Sequence, residues 1–283
     1  MIRMVRVGVH VSIAGSIALS VPRAVDAGCD TYQIFSRNPR GWKFSDLDAS
    51  MVKEFRNNLG ATRIRPVVDH MPYLPNLAAP DGENYGKSVA TLTAELRRCD
   101  QLGIPFLVTH LGHHKGEGKP AGYRQVTGAV NRALGDAPGK VMLLLETTAD
   151  EKNSVGGTFE DLRSILDGID ERKRVGICYD TCHTFSAGYD LRTPEALGET
   201  LDHFDGVVGL SLLHAVHLND ARGELGGHLD RHEHIGLGSI GEEGFRTFLH
   251  HPVFRDLPLI CETPVDERRD DRGNLARVRE LAA

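Results

Sequence analysis

The feature of this chain that most restricts its fold is an alternation. Eight short runs of β-branched and aliphatic residues are separated by stretches of helical period, as expected of repeated βα units on a parallel sheet. The runs are Val5–Val11, Thr31–Phe35, Ile64–His70, Pro105–His110, Val141–Glu146, Arg174–Asp180, His214–Leu218 and Pro258–Glu262. Between them lie amphipathic segments such as SVATLTAELRRCDQL, where Val89, Leu92, Leu96 and Cys99 recur along one helical face. Eight strands with intervening helices predict an α/β fold closed as a (β/α)8 TIM barrel. No Pro- or Ser-rich linker and no shift of composition interrupts the series, so residues 1–283 read as a single domain. With 283 residues, 40% of them hydrophobic, the chain can bury a full core.

In such a barrel the residues that close the strands share one mouth, where active sites lie. Six of the eight runs close on a side chain of metal-ligand type: His70, His110, Glu146, Asp180, His217 and Glu262. With 39 Asp and Glu and 14 His among 283 residues, chance does not readily supply such a ring. Two further clusters extend it. DTCHTF places His183 three residues after Asp180, and the long loop at about Asn219 to Gly241 carries Asp230 and His232 at alternating spacing. Imidazole and carboxylate ligands suit zinc or manganese, and the lack of cysteine at the strand ends argues against a closed structural zinc site. The formal charge of −6 argues against broad affinity for nucleic acid, although three divalent cations would cancel it.

The strings GVHVSIAG (Gly8 to Gly15), FSRNPRGW (Phe35 to Trp42), DTCHTFSAGYDLRT (Asp180 to Thr193) and HLNDARGELGGHLDRHEHIGLGSIG (His217 to Gly241) resemble the endonuclease IV family of zinc-dependent abasic-site endonucleases. The resemblance runs across nearly the whole chain. It implies a DNA-repair hydrolase of deoxyribonuclease IV type, acting at a trinuclear zinc centre with manganese possible at part of the site. His70 and His110 would hold one zinc and share the bridging carboxylate Glu146 with a second, which Asp180, His217 and Glu262 also hold. His183, Asp230 and His232 would hold the third. The implied reaction is attack by a metal-bridging hydroxide on the phosphodiester 5′ to an abasic site, leaving a 3′-hydroxyl and a 5′-deoxyribose phosphate. Cleaning of blocked 3′ ends, as a 3′-phosphodiesterase or 3′-phosphatase, would use the same chemistry. Arg40, Tyr73 and Leu74 would enter the gap in double-stranded DNA left by the missing base. Two positions depart from the family pattern: Thr147 lacks an amide that could orient a ligand, and Asp150 adds negative charge near the DNA path.

Other conspicuous residues read as structural. His10 closes a run but has no ligand role in the family and is read as a supporting residue, as is His234. His113 and His114 read as surface-loop residues, Cys178 and Cys182 as core, and Trp42 as packing. A divalent-metal sugar isomerase or epimerase would need only Glu146, Asp180, His217 and Glu262, leaving His70, His110, His183, Asp230 and His232 without a role. A noncatalytic DNA-lesion binder should have lost ligands, and none is missing. The N-terminal MIRMVRVGVHV lacks a signal-peptide pattern, and no apolar run is long enough to span a membrane, so a cytoplasmic protein is expected. Five cysteines without framework spacing predict free thiols, and the resemblance implies a monomer, since the family's DNA face needs no second subunit.

Overall fold

The computed structural model describes residues 5–43 and 45–283. Its strands are β1 (Arg6–Val9), β2 (Tyr32–Ile34), β3 (Val67–His70), β4 (Phe106–Thr109), β5 (Met142–Glu146), β6 (Val175–Asp180), β7 (Leu213–His217), β8 (Asp220–Ala221), β9 (His232–Glu233) and β10 (Pro258–Cys261). All except β8 and β9 form one sheet of eight strands in the order β1, β10, β7, β6, β5, β4, β3, β2, and the pairings within it are parallel. The two ends of that order meet. Val11 N donates to Gln33 O at 2.7 Å, and His10 bridges to Gln33 in parallel sense. Gly8 permits this approach, because a Cβ there would lie 1.6 Å from the Thr31 carbonyl oxygen. The sheet is thus a nearly closed barrel, as the eight runs predicted.

Helices α1 (Ser20–Ala27), α2 (Ala49–Gly60), α3 (Glu83–Leu102), α4 (Lys119–Asp136), α5 (Phe159–Asp167), α6 (Thr181–Ser186), α7 (Pro194–Val207), α8 (Gly241–His250) and α9 (Asp271–Leu281) follow or connect the strands. Several start where the side chain of an Asp or Thr accepts from the first turn: Asp48 for α2, Thr158 for α5, Thr193 for α7 and Asp270 for α9. The predicted apolar face of α3 is buried, with Val89, Leu92, Leu96 and Cys99 all in the layer between sheet and helices.

A second, smaller cluster fills the barrel itself: Val68, Val108, Leu144, Cys178 and Ala215, one each from β3 to β7. Side chains alternate faces along a strand, so the residue two positions further on also points inward, one layer nearer the C-terminal mouth. Those residues are His70, His110, Glu146, Asp180 and His217. The ring of candidate ligands is therefore the top layer of the barrel filling, continued at the same phase.

The elements are shorter than the apolar runs. β3 begins at Val67 rather than Ile64, since Pro66 has no N–H to give the ladder. The segment expected as one long irregular loop contains the antiparallel pair β8 and β9, with Asp220 opposite Glu233 and Ala221 opposite His232. That pairing folds the Asp230 and His232 stretch back over the mouth. All five cysteines are free and buried, as expected, and among the described residues no helix is long and apolar enough to cross a membrane.

Candidate metal centre

Local structure aims each side chain before any long-range contact is considered. Asp180 ends β6 and caps α6, its Oδ1 accepting from His183 N at 2.8 Å, so the spacing in DTCH is that of a helix N-cap. Just after the neighbouring strand β7, Asn219 holds two ligand-type residues at once. Its Nδ2 donates to Asp180 Oδ2 at 2.8 Å and its Oδ1 accepts from Glu262 N at 2.7 Å.

Among the described residues five groups of potential donor atoms result, in each of which the atoms lie within 4.8 Å of one another: His70, His110 and Glu146; Glu146, Asp180, His217 and Glu262; His183, Asp230 and His232; and two that share members with these, His70, His217 and Glu262, and Asp180, Cys182 and His232. Glu146 is common to the first two and is wholly buried. Its Oε2 lies 2.9 Å from His110 Nε2 and 3.2 Å from His70 Nε2, while its Oε1 lies 2.7 Å from His217 Nδ1. In the third group His183 Nε2 is 3.2 Å from Asp230 Oδ1. All nine residues singled out in the sequence thus converge on one mouth.

The hydrogen bonds show what this arrangement can hold. A carbonyl oxygen only accepts, so a ring nitrogen bonded to one must carry hydrogen. His70 Nδ1 donates to Met71 O at 2.7 Å, His183 Nδ1 to Thr147 O at 2.8 Å, and His232 Nδ1 to Glu262 O at 3.0 Å. In each neutral ring the other nitrogen then presents a lone pair, and in each case it faces carboxylate oxygens. His232 Nε2 is buried with no hydrogen-bond partner, 3.5 Å from Asp230 Oδ1 and 3.7 Å from Asp180 Oδ2. Lone pairs aimed at carboxylates repel unless a cation lies between them, and imidazoles anchored at the far nitrogen are how proteins present ligands to metals. The residues present therefore fit divalent cations.

Without metal, protons must take that role. Burial would raise the Glu146 carboxyl, but His110 and His217 hold it well below the usual carboxylate range. Burial would lower the His183 imidazole, yet Asp180 and Asp230 push it well above its ordinary value. Burial would raise Asp230 too, but His183 holds it down at about 2.

The three residues expected at the DNA lie on the loops after β2 and β3. Arg40 is exposed, and Tyr73 and Leu74 are 62% and 41% exposed, high values for large apolar side chains. The two loops are joined by a hydrogen bond from Tyr73 N to Pro39 O, and the Tyr73 ring stands edge-on to Phe35 at 5.0 Å. A cavity of about 260 Å³ runs from Tyr73 and Leu74 to His70, His110, His183 and Asp230.

Several side readings change. His114 is not a surface residue: it is buried, and its Nδ1 accepts from Gly116 N and Gly118 N. Asp150 does not add a bare charge, because Lys119 Nζ lies 2.9 Å from it while also reaching Asp161 at 3.0 Å. Thr147 does orient ligands, through its carbonyl to His183 and through its hydroxyl, which accepts from Asp180 N at 2.9 Å. His234 supports C-terminal structure, bonded to Asp266 and Asn274. Cys178 and Cys182 are buried, and Trp42 is half-buried with the Lys87 ammonium 6.0 Å from its ring centre.

Sequence reasoning missed Asn219 and Gln33. Asn219 follows His217 within a matched string and is buried, whereas Gln33 was visible only as the one amide inside the TYQIF run.

Known proteins bear on this geometry. Residues 21–282 match the family model described as xylose isomerase-like TIM barrel. The chain is 65% identical over 280 residues to the probable endonuclease 4 of Methanoculleus marisnigri, covering 99% of both chains. It is 50% identical over 279 residues to the probable endonuclease 4 of Cenarchaeum symbiosum, covering 98% of this chain and 99% of that one. The crystal structure of endonuclease IV from Thermus thermophilus superposes with a TM-score of 0.87 at 36% identity, covering 98% of each chain. A 3-keto-D-glucoside 4-epimerase from E. coli superposes with a TM-score of 0.69 at 14% identity, a likeness of fold alone. Full-length identity at this level, joined to a strand-end ring of His, Asp and Glu, makes this chain a member of the endonuclease IV family, a DNA-repair endonuclease of the hydrolase class.

Proposed function

We propose that this protein cuts double-stranded DNA 5′ to an abasic site, leaving a 3′-hydroxyl and a 5′-deoxyribose phosphate, with three zinc ions held by the nine strand-end and loop residues. The observation that supports this most is the direction of the lone pairs. His70, His183 and His232 each donate one N–H to a backbone carbonyl and turn the other nitrogen toward carboxylates. His70, His110 and Glu146 form one holding group, and Glu146, Asp180, His217 and Glu262 a second that shares Glu146. His183, Asp230 and His232 form the third, and manganese suits part of this oxygen- and nitrogen-rich set. Bound divalent cations supply Lewis-acid polarisation of the phosphate, water of near-neutral pKa and compensation of charge at the departing 3′-oxygen.

The protein's own residues set where the reaction occurs. Tyr73 and Leu74 stand exposed at the rim of the cavity that leads to His70 and His110, and they would fill the gap where a base is missing. Arg40, on the adjoining loop, would meet the distorted backbone. A lesion duplex bends and opens at lower cost than an intact one, so such a rim selects abasic DNA. Removal of blocking groups from 3′ ends is part of the same proposal, since it breaks the same kind of ester. A one-metal sugar isomerase leaves the His183, Asp230 and His232 group without purpose. The proposal further takes residues 1–283 as one domain, supported by a single sheet that draws strands from Arg6 to Cys261, and takes the protein as a cytoplasmic monomer.

The test is strand incision of a duplex carrying one abasic site, by metal-replete protein and by protein stripped with a strong chelator. Cutting 5′ to the lesion, lost on stripping and restored by zinc, is the expected result. An intact duplex after incubation with metal-replete protein would refute the reading.

A further inference from the structure

We propose that Gln33 is a positioning residue for the metal centre, selecting which nitrogen of His217 and which oxygen of Glu262 face a cation. This rests on the metal reading above and adds to it a residue outside the nine.

Gln33 is wholly buried on β2, where its carboxamide reaches three side chains. The orientation of that amide follows from chemistry. Its Nε2 lies 2.7 Å from Glu262 Oε1, and an ionised carboxylate only accepts, so the nitrogen belongs on that side. The oxygen then faces His217 Nε2 at 2.9 Å. An amide oxygen also only accepts, so His217 must carry its hydrogen on Nε2. In the neutral ring this leaves the lone pair on Nδ1, the atom 2.7 Å from Glu146 Oε1 and 3.3 Å from Glu262 Oε2.

The same amide therefore makes both choices. It turns His217 Nδ1 inward by binding Nε2, and it occupies Glu262 Oε1, leaving Oε2 to face His217 Nδ1. Its second N–H is taken by His10 Nδ1 at 3.1 Å, and the His10 ring packs on Phe35 at a centroid distance of 4.3 Å. With both hydrogens and the oxygen engaged, the amide cannot flip without breaking all three contacts. Its backbone is fixed as well, since Gln33 O accepts from Val11 N where β1 meets β2. This gives His10 its function: it holds the residue that holds two ligands.

Two substitutions separate the contacts. Gln33→Met keeps the length of the side chain and removes all three polar contacts. Gln33→Glu keeps an acceptor for His217 Nε2 but sets a carboxylate against Glu262. Outer-shell partners of metal ligands are worth about 10–100-fold in affinity. Both variants are expected to bind zinc in that range more weakly by chelator competition, the Glu variant more so, and to show an altered visible spectrum when loaded with cobalt(II). Circular dichroism of each establishes that it is folded. A folded variant with wild-type zinc affinity and an unchanged cobalt spectrum would overturn the proposal. A further readout needs no variant: in the zinc-loaded wild type, ring-nitrogen NMR should show the His217 proton on Nε2, and a proton on Nδ1 would overturn it equally. Wild-type protein that takes up neither zinc nor cobalt would instead refute the metal reading itself. Normal uptake by the wild type with unaffected variants would refute only the role of Gln33.

Discussion

Glu146→Gln tests the centre of the site with the least change of shape. The two carboxylate oxygens face different partners: Oε1 lies 2.7 Å from His217 Nδ1, and Oε2 lies 2.9 Å from His110 Nε2 and 3.2 Å from His70 Nε2. A carboxylate accepts on both sides, whereas an amide accepts on one and donates on the other. However the glutamine is turned, one set of nitrogens faces an N–H instead of an oxygen, and both groups of donors lose the negative charge they share. Removing one partner of a buried charged contact costs about 3–5 kcal/mol. That corresponds to about 10²–10⁴ in a binding constant. Zinc affinity, read by competition with a chromophoric chelator, should fall by this factor. Incision of an abasic duplex should fall at least as far, even with zinc in excess, because a neutral amide is a poor bridge between cations. Secondary structure should persist, since the side chain keeps its volume on β5 and its neighbours Leu144 and Leu145 remain packed. A folded variant that binds zinc like the wild type and cuts within about tenfold of its rate, a difference of only about 1.4 kcal/mol in barrier, would refute the shared-carboxylate reasoning.

Two further outcomes follow from other parts of the molecule. Tyr73→Ala removes an exposed ring, so stability should hardly change, but loss of stacking worth about 1–3 kcal/mol should raise KM for the abasic duplex by about 5- to 150-fold, with kcat less affected. An unchanged KM in steady-state incision would remove Tyr73 from lesion recognition. Asp161 offers a pH test away from the metal ligands: burial would raise its pKa, but Tyr123 and Lys119 hold it below the ordinary value. Its stabilising contribution is therefore complete above the unfolded value of about 3.9 and is lost as pH falls through the lower folded value. Asp161→Asn should be less stable than wild type in denaturant titrations near neutrality, with the gap narrowing below about pH 4. A gap that stays constant across that range would contradict the assignment.

Much of the fold was legible because the signals were local. Apolar runs spaced by helical segments announced eight strands, and period-two alternation placed His70, His110, Glu146, Asp180 and His217 in phase with the barrel interior. The DTCH spacing was likewise local, a carboxylate capping the helix that carries His183. Other contacts left no such trace. The hairpin of β8 and β9 has only two residues per strand, too short for alternation to show. The Lys119 contact that neutralises Asp150 joins α4 to the loop after β5, and Thr147 substitutes a carbonyl and a hydroxyl for the expected amide.

Residue type, spacing and strand phase thus determined that this chain closes into a βα barrel and gathers histidines and carboxylates at one mouth, because these depend on periodicity within single elements. The tertiary structure alone decided which atoms face the centre. The Gln33 oxygen reaches His217 Nε2 across 184 residues of chain, and the tautomer of an imidazole is set by whatever hydrogen-bond partner lies beyond it, which no local pattern encodes.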